Sequence, residues 1–134
     1  MVVTRKNFME QTGKTILLVD DDLTLLEMYE DRLKAEGYTI IQAKNGEEAL
    51  NKAREVKPAL VILDVMMPKV NGFDVLKNLR GDEEFKNVPI IMLTALIQDV
   101  DRAQGKKLGA TDYIVKSETM PGEVIAKIKK ALGE

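Results

Sequence analysis

Short apolar runs alternate with amphipathic stretches along most of the chain, and the apolar runs stop abruptly at polar residues. Ile16-Leu17-Leu18-Val19 stops at Asp20-Asp21-Asp22, Leu60-Val61-Ile62-Leu63 at Asp64, Ile90-Ile91-Met92-Leu93 at Thr94, and Tyr113-Ile114-Val115 at Lys116. Aliphatic and β-branched runs of this length read as strands buried on both faces of a parallel sheet. Tyr38-Thr39-Ile40-Ile41 is a further strand, second in chain order.

The intervening stretches have helical spacing. A helix over about 22–36 places Leu26, Tyr29 and Leu33 at i, i+3 and i+7, and Gly37 suits the left-handed position after its end. A short helix over 46–55 buries Ala49, Leu50 and Ala53, and one from Asn71-Gly72 to about Arg80 turns Phe73, Leu76 and Leu79 inward. Pro58 and Pro89 mark strand entries, and 81–87 reads as a polar loop. The stretch 99–108 has few apolar residues and carries Gly105 mid-helix, at a cost of about 1 kcal/mol against alanine. The last helix aligns Val124, Ile125, Ile128 and Leu132. Five β–α units without an internal repeat predict one α/β domain over 15–134, with right-handed crossovers covering both faces of a parallel sheet. Residues 1–14, polar except for Phe8-Met9 and a few others, read as an N-terminal tail.

If the strands are parallel neighbours, their C-terminal ends share the edge where open α/β sheets place their sites. Carboxylates, a hydroxyl and an ammonium then meet in one pocket. Composition narrows what that pocket can do. The 134 residues contain neither cysteine nor histidine, which excludes disulfides, thiolate or imidazole metal ligands, thiol nucleophiles and phosphohistidine within the chain. With 20 basic and 22 acidic residues the net charge is −2, which argues against a broad nucleic-acid footprint. No apolar stretch approaches the roughly 20 residues of a membrane span, and no signal-peptide pattern opens the chain, so a cytoplasmic location is expected.

Crowded carboxylates repel unless a cation neutralises them or some bind protons. With only oxygen ligands on offer, Mg2+ is the natural ion, because it accepts octahedral oxygen coordination, keeps several waters and adds a phosphoryl oxygen. Lys116 contributes a compact positive charge and Thr94 a donor, parts suited to a phosphoryl group whose charge is spread over three oxygens. A carboxylate nucleophile would become an acyl phosphate. The chemistry points to phosphoryl transfer onto an aspartate. Singly these residues have plainer readings: one of Asp20 to Asp22, Asp22 foremost, caps a helix, Thr94 ends a strand, and Tyr113 packs.

The stretches ILLVDDD at 16–22, LVILDVMMPKVNG at 60–72, IIMLTA at 90–95 and LGATDYIVK at 108–116, in this order and spacing, resemble the receiver domain of bacterial response regulators, of the single-domain chemotaxis-regulator type. The resemblance spans about 15–132. It implies a flavodoxin-like (βα)5 three-layer sandwich with strand order 2-1-3-4-5. It implies that Asp64 is the phosphoacceptor and that Asp20 and Asp21 hold Mg2+, Asp21 directly and Asp20 at least partly through water, with the Met66 backbone carbonyl as a further ligand. It implies that Lys116 contacts the phosphoryl group, that Thr94 is the switch hydroxyl, and that Tyr113 packs inward when Thr94 moves. The implied donor is a partner histidine kinase, a phosphotransfer protein or a small phosphodonor. The implied output is protein contact through the fourth helix, fifth strand and fifth helix, with a target or in a homodimer, and no nucleic acid or membrane bound by this domain. The protein would catalyse its own phosphorylation and dephosphorylation without being a turnover enzyme. Mobility is expected in the helix carrying Gly105.

One position departs from the family: Ser117 follows Lys116 where proline is usual, so that loop is expected to run differently. Bulky Met66 and Leu96, each two residues past Asp64 and Thr94, flank the path of hydrolytic water and predict slow self-dephosphorylation. Three rivals fit less well, the first from another class. Asp20-x-Asp22-x-Thr24 resembles the first motif of haloacid-dehalogenase-type phosphatases, but Asp64 would then be idle and a later acidic pair is missing. A pseudo-receiver, or a flavin carrier, fits poorly with the complete set of Asp20, Asp21, Asp64, Thr94 and Lys116 and the lack of a phosphate loop.

Overall fold

The computed structural model describes residues 13–134. Of the expected tail over 1–14, all but Gly13 and Lys14 lies outside the described residues. Strands β1 (Thr15–Val19), β2 (Thr39–Ala43), β3 (Leu60–Leu63), β4 (Ile90–Thr94) and β5 (Asp112–Val115) alternate with helices α1 (Leu23–Ala35), α2 (Gly46–Val56), α3 (Gly72–Arg80), α4 (Asp99–Lys107) and α5 (Pro121–Ala131). The strands form one parallel sheet in the order β2-β1-β3-β4-β5. The expected flavodoxin-like sandwich is the fold.

Alternation along the strands sorts side chains between two cores. Leu17, Val19, Val61, Leu63, Ile90 and Met92 pack with Ala49, Ala53, Val75, Leu76 and Leu79, so α2 and α3 cover that face. Ile16, Leu18, Leu60, Ile62, Ile91, Leu93 and Ile114 pack with Leu26, Tyr29, Leu33, Val124 and Ile128 from α1 and α5 on the other. The interior strands are buried on both faces, as continuous apolar runs require.

Helix starts follow local chemistry. Asp22 accepts from the N–H groups of Thr24 and Leu25, so the third acid of the run is a cap that sets where α1 begins. Asn45 and Asn71 cap α2 and α3 in the same way.

Two expectations need correction. The second strand begins at Thr39 and runs to Ala43, past Ile41, because β2 is an edge strand where the half-buried Gln42 is tolerated. The polar loop 81–87 contains a 3-10 turn, Glu83–Phe85, whose Phe85 is only 2 % exposed and belongs to the core. Arg80, in the last turn of α3, holds this region together. Its guanidinium donates to the carbonyls of Phe85, Val88 and Gly109 and to the Thr111 hydroxyl, joining two loops at the N-terminal edge of the sheet.

Candidate functional site

Register decides which strand ends meet. Val19 pairs with Leu63 and Thr94 with Val115, so Asp20 and Asp64 leave neighbouring strands side by side, and Lys116 emerges next to Thr94. The Asp64 N–H donates to the Val19 carbonyl at 3.0 Å, and Asp20 N–H to Ala43 at 3.1 Å, which carries the ladders to the edge of the pocket. The fit behind Asp64 is tight. A Cβ on Gly72 would lie 2.0 Å from the Asp64 carbonyl oxygen, so the start of α3 rests directly on the Asp64 backbone. Only glycine permits that approach.

Carboxylate oxygens of Asp20, Asp21 and Asp64 converge within 4.8 Å of one another. Asp20 and Asp64 are buried, at 2 % and 4 % exposure, whereas Asp21 faces solvent. The Asp22 N–H donates to Asp20 Oδ1 at 2.9 Å and the Met66 N–H to Asp64 Oδ1 at 3.3 Å. Lys116 Nζ reaches Asp20 Oδ2 at 2.8 Å and Asp64 Oδ2 at 3.5 Å. Burial pushes the Asp20 carboxyl above its ordinary pKa, and the neighbouring Asp64 charge adds to the shift, against the opposing hydrogen bonds from Lys116 and Asp22. Burial alone would lower the Lys116 ammonium, but the two carboxylates outweigh it and its pKa is raised. The ammonium is thus held charged within a cluster that has more acid than base.

A groove beside the acids is lined by Asp21, Val65, Met66, Met67 and Asn71. An all-oxygen set with one open, solvent-facing side fits a hard divalent cation that retains waters. The donors present could therefore hold a metal.

Thr94 is fully buried, and its Oγ1 accepts from the Leu96 N–H at 3.4 Å. The Tyr113 hydroxyl donates to the Leu96 carbonyl at 3.0 Å. One residue, Leu96, therefore links Thr94 to Tyr113. Two contacts of the Tyr113 ring were invisible in the sequence pattern. A Cβ on Gly105 would come within 2.9 Å of Tyr113 Cδ2, so the glycine in α4 makes room for the ring. The Arg102 guanidinium lies over the ring, 5.6 Å from its centroid. Lys116 itself opens a 3-10 turn, Lys116–Glu118, in which Ser117 is exposed.

The sequence matches the response regulator receiver domain over residues 16–129. The chain belongs to the response regulator receiver domain family. The receiver is 47 % identical over 124 residues to a probable transcriptional regulator, ycf27, of Pyropia yezoensis, covering 92 % of this chain and 49 % of that protein. It is 44 % identical over 120 residues to the alkaline phosphatase synthesis transcriptional regulatory protein PhoP of Bacillus subtilis, covering 90 % and 49 %. The chain thus spans about half the length of these curated relatives. Among solved structures it resembles the chemotaxis protein CheY4 of Vibrio cholerae, with a TM-score of 0.82 at 32 % identity, covering 88 % of this receiver and 98 % of that chain. It also resembles the BeF3-activated receiver domain of RstA from Klebsiella pneumoniae, with a TM-score of 0.83 at 29 % identity, covering 90 % and 99 %. This membership sets aside the haloacid-dehalogenase reading. No helix among the described residues is long and apolar enough to cross a membrane.

Proposed function

We propose that this receiver is a Mg2+-dependent phosphoacceptor switch that takes a phosphoryl group on Asp64 from a partner histidine kinase, a phosphotransfer protein or a small phosphodonor. The observation that carries the reading is the placement of Lys116 between Asp20 and Asp64, at the mouth of a three-carboxylate cluster. An Asp64 oxygen attacks phosphorus, the bond from phosphorus to the donor nitrogen or oxygen breaks with its electron pair leaving on the donor, and Asp64 becomes an acyl phosphate. The Lys116 ammonium, already held beside Asp64, takes up part of the negative charge that arrives. Asp20, Asp21, Asp64 and the Met66 carbonyl would hold Mg2+. When bound, the ion would neutralise the acids and the transferring oxygens. The protein catalyses its own phosphorylation and dephosphorylation and is not a turnover enzyme.

Thr94 and Tyr113 are the switch pair, coupled through Leu96. A phosphoryl group that draws on Thr94 and Lys116 favours one of two arrangements already in equilibrium. Output then passes through the surface of α4, β5 and α5 to a protein target or a second copy of the receiver. Residues 15–134 form the signalling domain, and its setting is the cytoplasm. The test is incubation with Mg2+ and acetyl phosphate followed by intact mass. A gain of one phosphoryl mass is expected, lost in Asp64→Asn and without magnesium. No gain at any donor level would make the chain a pseudo-receiver.

A further inference from the structure

We propose that Arg102 is a positioning residue that couples Tyr113 to the loop carrying Lys116, in the place where a proline after Lys116 would otherwise stiffen that loop. The inference rests on the switch reading of Asp64, Lys116 and Tyr113.

The Arg102 guanidinium makes two contacts at once. It covers the Tyr113 ring at 5.6 Å from the centroid, and its Nη2 donates to Glu118 Oε1 at 2.8 Å. Gly105 lies three residues along α4, on the same helix face, and leaves the ring its seat. Tyr113 is thereby held at three places: its hydroxyl by Leu96, one ring edge by Gly105 and one ring face by Arg102.

Glu118 lies two residues from Lys116 within a single 3-10 turn. A shift of the turn's backbone moves both residues together. Ser117, between them, has no ring to fix its φ, so the turn needs an outside restraint. Across the loop the Arg102–Glu118 pair supplies one, from a neighbouring helix. The contacts form a continuous path: Asp64 to Lys116, along the turn to Glu118, across to Arg102, onto Tyr113, through Leu96 to Thr94. Burial, and next the Asp101 charge, raise the Tyr113 phenol above its ordinary pKa, so the ring remains a neutral donor to Leu96 at neutral pH.

Each partly exposed contact shifts an equilibrium by only about two- to fivefold. That is enough where two arrangements lie close in energy.

The experiment compares the full chain with Arg102→Gln, Glu118→Gln, the double variant, and the reversed pair Arg102→Glu with Glu118→Arg. Two readouts are taken: the initial rate of phosphoryl gain from acetyl phosphate with Mg2+, and the NMR signal of the Tyr113 ring in unphosphorylated protein. Each single variant is expected to slow phosphorylation about two- to fivefold and move the Tyr113 signal, the double to do no more than either, and the reversed pair to recover part of the rate. Thermal midpoints, which a purely structural surface pair would move, should stay nearly constant. Additive single effects, no recovery on reversal, or an unmoved Tyr113 signal in Arg102→Gln would overturn the proposal. If the parent chain gains no phosphoryl mass while the Tyr113 signal still responds to both single variants non-additively, the coupling stands and the Asp64 reading falls.

Discussion

Lys116 sits closer to Asp20 than to Asp64, 2.8 Å against 3.5 Å, so its charge first serves the aspartate that burial penalises most clearly. Asp64 is the farther of the two buried acids from that ammonium and lies in the same carboxylate cluster. Asp64→Asn is expected to stabilise the metal-free fold by about 1 kcal/mol, since it removes one like charge from the cluster. Adding Mg2+ should shrink that gain, because the cation relieves the same repulsion. Thermal melts of both proteins with and without magnesium decide the matter. A variant that melts below the parent in both conditions contradicts it.

Gly105→Ala tests the seat beneath Tyr113. Alanine would gain about 1 kcal/mol of helix propensity, but overpacking against the ring costs about 1–3 kcal/mol. Net destabilisation is expected in denaturant titration, with a displaced Tyr113 ring signal. A more stable variant with an unchanged ring would show that the close approach is not real.

Phe85→Ala is expected to lose about 3–5 kcal/mol, as large a loss as any aromatic truncation in the core, although the residue lies in a polar loop. Lys86→Ala, its exposed neighbour, serves as the control and should change little.

Glu134 provides a pH signature. The Lys14 ammonium and then the Tyr38 hydroxyl hold its carboxyl below its ordinary pKa. A folded-state pKa below the unfolded one gives stability that is complete above the unfolded value and fades as pH falls through the folded value. Glu134→Gln should therefore lower stability by about 0.5–1 kcal/mol at neutral pH. The difference should vanish in acid, at pH values well below the ordinary 4.5. A difference that persists undiminished at pH 2.5 would rule out the ionised carboxylate as its source.

Met66 and Leu96 bear on the lifetime of a phosphorylated Asp64. Replacing both with polar residues is expected to shorten that lifetime several-fold, as water gains access to phosphorus. The measurement is decay of the phosphoryl mass after the donor is removed. A lifetime of seconds in the parent, unchanged by the substitutions, removes any shielding role.

The strand ends were legible because burial on both faces demands unbroken apolar runs, and a charge after such a run stands out. Asp22 was legible as a cap for the same local reason, and the family resemblance assigned the other site residues. Phe85 was hidden because a lone aromatic among Asp82, Glu83, Glu84 and Lys86 carries no periodicity. Arg80 resembles any basic residue in a last helical turn, and nothing in its neighbours announces four acceptors, two in the loop that follows it and two in the distant loop before β5. Arg102 and Gly105 sit in the helix with the fewest apolar residues, where the pattern is weakest, yet their partners lie on β5 and the turn beyond it. Contacts between elements far apart in sequence leave no trace in local spacing.

The pairing of Val19 with Leu63 has a consequence for chain length. Because successive strand residues face opposite sides of the sheet, shifting β3 by one position would turn Asp64 away from Asp20 and Lys116. The pocket therefore depends on counting as much as on chemistry. A deletion of one residue within Leu60–Leu63 should silence the protein as thoroughly as replacing Asp64, though every reactive side chain would still be present.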